Sequence, residues 1–218
     1  MKVLSVRRGF ASDHSSTSYE FLAVDKPLGK EARSAISQLS RRVRPTRRRA
    51  HFVYHVGGYD IPGGWENLMT QYYDVMYCEN YDWWTLAMAY NAAPGHYESL
   101  VPFEFSGTDD LGVRISKKGS RLIIAIHCTT EAGFLGLDYD AYDDEDDEED
   151  ESDALATDDE LLNMLVMIRR QIIDGDYRTL YAVWVKYGDG ENPPPKPENR
   201  NAGREIIDGF KNMLSRMD

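Results

Sequence analysis

Val113-Arg-Ile-Ser-Lys-Lys-Gly-Ser-Arg-Leu-Ile-Ile-Ala-Ile-His127 is the stretch that decides the architecture. Two strand-like runs, Val113 to Lys117 and Arg121 to His127, flank the turn Lys118-Gly119-Ser120 and read as a β-hairpin. The second run does not alternate. Leu122 to Ile126 is apolar at every position, so neither face of that strand suits water, and it belongs in the centre of a sheet rather than at its edge.

Upstream, Trp83 to Tyr90 alternates cleanly, with Trp84, Leu86, Met88 and Tyr90 on one face, which predicts a further strand. Before it, Trp65, Leu68, Met69, Tyr72, Tyr73 and Met76 repeat at helical spacing and predict one amphipathic helix reaching Met76. His51 to Val56 alternates again and predicts a strand. Ala32, Ala35, Ile36 and Leu39 predict a short helix that Pro45 prevents from continuing. At the N-terminus, Lys2 to Val6 and Ser18 to Val24 read as a hairpin across the polar loop 11–17.

Downstream the pattern turns helical. Thr157 with Glu160 has the form of a capping box, followed by Leu161, Leu165, Ile168 and Ile172 at helical spacing, with Gly175 as the C-terminal stop. Tyr177, Leu180, Tyr181, Trp184 and Val185 predict a second helix. Ile206, Ile207, Phe210, Met213, Leu214 and Met217 predict a third. The expectation is an α+β fold, a mixed or antiparallel sheet with inserted helices followed by an all-helical C-terminal part. Residues 1–137 form the core domain, 138–156 an acidic mobile linker, and 157–218 a helical segment packing on the core. Fourteen of the 25 aromatics fall between Phe52 and Phe105, so the main core is expected there.

Charge is distributed unevenly. The formal net charge is −12, yet 15 acidic residues and no basic ones lie between Asp138 and Glu160. Without that ribbon the chain carries 22 acidic and 25 basic residues, so its body is slightly basic. Nine acids in a row, Asp143 to Glu151, have nothing to bury and repel one another, as a solvated linker does. The ribbon lacks the glycine turn and spaced acids of a calcium loop.

The opposite charge is concentrated in Arg41, Arg42, Arg44, Arg47, Arg48 and Arg49. Such a cluster suits a solvated loop, a phosphate or nucleic-acid contact, or docking to an acidic protein surface. No aromatic is interleaved with these arginines, which counts against nucleic acid because base stacking needs a platform. The adjacent Trp83 and Trp84 point to opposite faces of their strand, so one is expected in the core and the other partly exposed, where it could anchor an interface.

Catalytic and metal signatures are absent from the sequence. Asp13, His14, Ser15 and Ser16 are neighbours in a polar turn, without the elbow that presents a nucleophilic serine. His127 and Cys128 are adjacent on a strand and point apart, so they make no dyad, and Cys128 reads as a small buried hydrophobe. His51 and His55 share a strand face but stand about 13 Å apart, too far for a shared zinc, and His14, His51, His55, His96 and His127 form no ligand spacing. The glycines at 57, 58, 63 and 64 fit neither a P-loop nor a dinucleotide fingerprint. No cofactor and no metal are therefore expected. Two cysteines are too few for a disulfide scaffold, and neither a signal peptide nor a membrane span is visible, so a cytoplasmic location is expected.

Ser18-Tyr-Glu-Phe-Leu-Ala-Val-Asp-Lys-Pro-Leu28 resembles the opening motif of an uncharacterised family of bacterial proteins. The resemblance continues through Ser40 to Thr46, Leu68 to Met76 and Trp83 to Met88, and covers by pattern the first 130 residues or so together with the helical pair ending near Trp184. This chain departs from the family where Tyr81-Asp82-Trp83-Trp84-Thr85 replaces a Trp-Gly-Thr, and its acidic ribbon is longer. The family has no assigned activity, so the resemblance supplies no catalytic residues. Many of its members are encoded near SWIM zinc-finger proteins, so the resemblance implies such a protein as a candidate partner. The expectation is an accessory protein that binds another protein in a multi-protein bacterial system and catalyses nothing. A nucleic-acid-associated subunit and an enzyme with a site assembled from distant residues are the rivals. Oligomeric state has no signal in the chain.

Overall fold

The structure, a computed structural model, describes residues 16–55, 60–80, 83–129 and 159–215. Lys2 to Val6, Asp13 to Ser15, Val56, Thr157, Met217 and the acidic ribbon with its linker 138–156 lie outside the described residues.

Among the described residues seven strands form one sheet: β1 (Ser16–Leu22), β2 (Arg49–His55), β3 (Val75–Asn80), β4 (Trp83–Asn91), β5 (Phe105–Ser106), β6 (Gly112–Lys118) and β7 (Arg121–Thr129). Their order is β2-β1-β3-β4-β7-β6-β5, and every pair is antiparallel. Helices α1 (Lys30–Ser37), α2 (Trp65–Gln71) and α3 (His96–Leu100) are inserted between strands, and α4 (Glu160–Ile173), α5 (Arg178–Tyr187) and α6 (Arg204–Ser215) follow β7. The fold is α+β.

The sheet is covered on both faces. Ile123 and Ala125 of β7 join Phe21, Phe52, Met76 and Ala87 beneath Ile36 of α1 and Leu68 and Met69 of α2. Leu122, Ile124 and Ile126 join Tyr77, Leu86 and Met88 beneath Leu165 and Ile168 of α4, Leu180 of α5 and Phe210 of α6. The apolar run of β7 is thus consumed by two cores, one on each side.

An ion-pair network ties the second helical layer to the sheet. Asp74, 3% exposed, lies between α2 and β3, and its Oδ2 accepts from the backbone N–H groups of Val24 and Asp25 at 2.7 and 2.9 Å. Arg121 Nη2 donates to Asp74 Oδ1 at 2.7 Å and to the Tyr73 carbonyl at 2.7 Å. Arg169 of α4 donates through Nε to the Ala89 carbonyl at 2.7 Å and through Nη2 to Asp25 at 2.6 Å, and stands 3.7 Å from Asp74. Four residues from four distant stretches thereby fix where α4 lies.

Three expectations need correction. Both sides of β1 are occupied, by β2 and by β3, so it has no edge for a hairpin with Lys2 to Val6. The helix beginning at Trp65 stops at Gln71, and Met76 belongs to β3. Residues 75–78 are buried on both faces of that strand, so their apolar side chains continue the helical spacing by coincidence. Finally, the N-cap of α4 is Asp159, not Thr157. Its side chain accepts from the N–H groups of Leu161 and Leu162, which leaves Glu160 as the first helical residue rather than the capping glutamate. The strand boundaries also shift: Ala23 and Val24 fall beyond β1, and β2 starts at Arg49, inside the arginine run.

Replacing Asp74 with Ala strips a carboxylate from the buried guanidinium of Arg169, the half-buried one of Arg121 and two backbone donors. Urea unfolding is expected to show a loss of about 3–5 kcal/mol, the usual cost of breaking a buried pair from one side. A loss under about 1 kcal/mol would mean that α4 is held by apolar packing alone.

Candidate functional site

The six arginines do not form one patch. Val43 between them is 1% exposed and sits in the core under α1, while Arg41, Arg42 and Arg44 are exposed on either side of it. Arg44 Nη1 donates to the carbonyls of Arg41 and Val43 at 3.0 and 3.1 Å, which folds its guanidinium back over the loop. Arg47, Arg48 and Arg49 are half-buried and hold the fold together. The Arg47 carbonyl accepts from Leu28 N–H, and Arg48 Nη1 donates to the carbonyls of Ala23 and Val24 at 2.9 and 3.1 Å. Arg49 opens β2 and approaches Glu20 at 3.8 Å. Three guanidiniums are therefore presented to solvent on a pinned loop, while those of Arg48 and Arg49 turn toward β1 and Arg47 joins the same region through its main chain.

The tryptophan pair divides as strand alternation requires. Trp84 is 3% exposed and packs against Tyr77 with ring centroids 5.7 Å apart, whereas Trp83 is 44% exposed. Trp83 does not join the arginines. The register aligns Arg49 with Leu22, Val75 and Met88, five residues along β4 from Trp83. That places Trp83 about 17 Å along the strand direction and about 14 Å across it from the start of β2.

A group of acids that the sequence reading passed over lies inside the molecule. Glu20 of β1, Glu79 of β3 and Asp159 are each 1% exposed, on the sheet face that α4 covers. The Tyr77 hydroxyl donates to Asp159 Oδ2 at 2.7 Å while Asp159 Oδ1 caps α4. Burial, then the charges of Glu20 and Asp159, push the Tyr77 hydroxyl well above its ordinary range, so it remains a proton donor. His51 Nε2 stands 3.7 Å from Glu20. For Glu20 the signal was available in the sequence: in Tyr19-Glu20-Phe21 the glutamate stands between two aromatic strand neighbours, whereas Glu79 lies between Cys78 and the polar Asn80 and carries no such signal.

Cys78 and Cys128 are both buried free thiols, and burial pushes Cys128 up to about 12 and Cys78 further, so neither is a thiolate near neutral pH. Among the described residues no group of three or more His, Cys, Asp and Glu side chains could hold a metal ion. His127 Nδ1 lies 3.2 Å from the Thr85 hydroxyl, its partner across the β4–β7 ladder. No described helix is long and apolar enough to cross a membrane.

No protein-family model, no curated protein and no solved structure matches the chain.

Two measurements follow from these placements. Trp84→Ala is expected to cost about 3–5 kcal/mol in chemical denaturation, while Trp83→Ala costs under about 1 kcal/mol. Similar losses at both positions would mean that Trp83 is covered. His127 has its affinity for a proton lowered by burial and then by Arg114, relative to an ordinary value of 6.5. Between the folded and unfolded values the unfolded chain binds the extra proton, so this residue's contribution to stability is complete above 6.5 and declines as pH falls below it. His127→Gln is expected to remove that part of the acid-side decline in a pH series of melting curves. Superimposable pH profiles for variant and parent would refute the assignment.

Proposed function

We propose that the chain is a cytoplasmic accessory protein that acts by docking to an acidic surface of another protein, without catalysis and without a cofactor. The observation that carries the reading is the presentation of Arg41, Arg42 and Arg44. A buried Val43 pins the loop, so these charges are held out at a fixed place instead of dispersing as they would on a tail. Preorganised guanidiniums lose less conformational freedom on binding, and their forked donors suit carboxylates. The cytoplasmic assignment is supported by the two free thiols, a state that reducing compartments maintain. A SWIM zinc-finger protein is the first partner to test, because the resemblance of the opening motif implies it. The α+β sheet and its following helices are the scaffold in this reading, and the helices after β7 form the all-helical C-terminal part.

The test compares the parent chain with Arg41→Ala/Arg42→Ala/Arg44→Ala in titration calorimetry against the purified SWIM protein at low and high salt. Binding that weakens with salt in the parent, and by about tenfold or more in the triple variant, is the expected result. Stability of the variant should stay within about 0.5 kcal/mol of the parent, as exposed charges usually do. Equal affinities at low salt would refute the role of these arginines. Tighter binding of the parent to a DNA or RNA oligonucleotide than to the protein, with a steep salt slope, would favour the nucleic-acid alternative.

A further inference from the structure

Among the described strands β2 is the outermost on its side of the sheet, and the hydrogen-bond pattern shows which of its backbone groups turn outward. Leu22 and Arg49 are register partners, and Ala23 N–H donates to the Arg48 carbonyl at 2.7 Å, which makes Leu22–Arg49 a pair without mutual hydrogen bonds. Alternation then directs the N–H and C=O groups of Ala50, Phe52 and Tyr54 toward β1. Those of Arg49, His51 and Val53 point to the side where no described strand lies. Thr46 agrees with this assignment. Its N–H donates to the Arg49 carbonyl at 2.9 Å and its hydroxyl oxygen accepts from Arg49 N–H at 2.9 Å, so the arginine loop folds onto the outer edge and closes it at Arg49. Past that point β2 runs on to His55 with no proline, the residue that most directly blocks strand addition. At the opposite border of the sheet, β5 is two residues long and offers little to pair with.

We propose that an extended, acidic peptide segment adds to the outer edge of β2 as a further strand and places its acidic residues against Arg41, Arg42 and Arg44. This deepens the docking reading above and rests on it. Backbone hydrogen bonds from Val53 give such a contact its affinity whatever the side chains, and charge gives it direction. All pairs in this sheet are antiparallel, so the added segment runs against β2. Its C-terminal end then meets the loop that precedes Arg49, two residues beyond Arg44. The partner motif is therefore a short β-forming run followed by acidic residues, not preceded by them.

The test uses fluorescence anisotropy with the full chain and three labelled peptides: alternating Thr and Val followed by a run of Glu, the same residues with the Glu run first, and the first peptide with alternate backbone nitrogens methylated. The expected result is that the first peptide binds, that reversal and methylation each weaken it by about tenfold or more, and that Val53→Pro does the same by removing an outward N–H. Melting curves show whether Val53→Pro remains folded. If it does not, the methylated peptide carries the test. Binding that ignores methylation and Val53→Pro but disappears in Arg41→Ala/Arg42→Ala/Arg44→Ala overturns strand addition and leaves the arginine reading standing. Binding lost with methylation but unchanged in the triple variant overturns the arginine reading. A failure of all three peptides to bind overturns the inference.

Discussion

Five consecutive apolar side chains, Leu122 to Ile126, leave β7 without a face that water can wet, and the other layers answer that constraint. The first cover, α1 and α2, comes from segments inserted among the strands. The second, α4 to α6, comes from beyond the acidic ribbon, so the chain must bring those helices back over a sheet that it has already completed. Apolar packing alone is tolerant of small shifts in position. Arg169 and Asp159 are not: one reaches the Ala89 carbonyl and Asp25, the other joins the first turn of α4 to Tyr77. Directional bonds at two points along α4 select one placement from the many that oil-like contact would permit.

How much of this could be seen in the sequence depended on whether a pattern was local. The hairpin of β6 and β7 follows from two strand-like runs around the turn at Gly119, β4 and the C-terminal helices follow from periodicity in their own residues, and the structure has them there. Strand β3 was hidden because a strand buried on both faces has no alternation, and Met76 happened to continue the helical spacing set by Trp65 and Leu68. The true cap of α4 was hidden by a nearer resemblance: Thr157 and Glu160 had the right spacing, but Asp159 is the residue that bonds the first turn. Non-local facts were out of reach altogether. That Glu20 lies beside Tyr77 follows from β1 and β3 being neighbours, and the facing pair is 57 positions apart in the chain, beyond any local rule. The candidate site was legible only as a charge count. Six arginines in nine residues announced a basic loop, but which of them faced solvent was decided by Val43, a residue of no charge.

That division of the arginines has a physical logic. Arg48 bonds two carbonyls that lie just past the end of β1, groups that the turn would otherwise leave unpaired, and Arg49 brings its positive charge to within 3.8 Å of the buried Glu20. Both bonds from Arg48 leave one nitrogen, Nη1, whose two N–H groups serve the two carbonyls. Arg41, Arg42 and Arg44 have no comparable duty toward the interior. Arg44 bonds carbonyls of its own loop, which stiffens the loop without burying the charge. Clustering in sequence thus combined two different functions, one inward and one outward, in a single run.

The outward group and Trp83 then pose a geometric restriction. Placed at different ends of the sheet, about 20 Å or more apart, they cannot both touch a ligand of small-molecule size. A partner using the arginines meets the loop and the beginning of β2, while anything held by Trp83 meets the far end of β4. Only a partner with an extended surface could reach both, and nothing in the fold requires that it do so. The arginine end has the stronger claim to recognition because charge there is joined to a strand edge whose hydrogen-bonding direction is fixed by the register with β1. Trp83 contributes an exposed apolar surface without such a direction, and exposed apolar area by itself selects no particular partner.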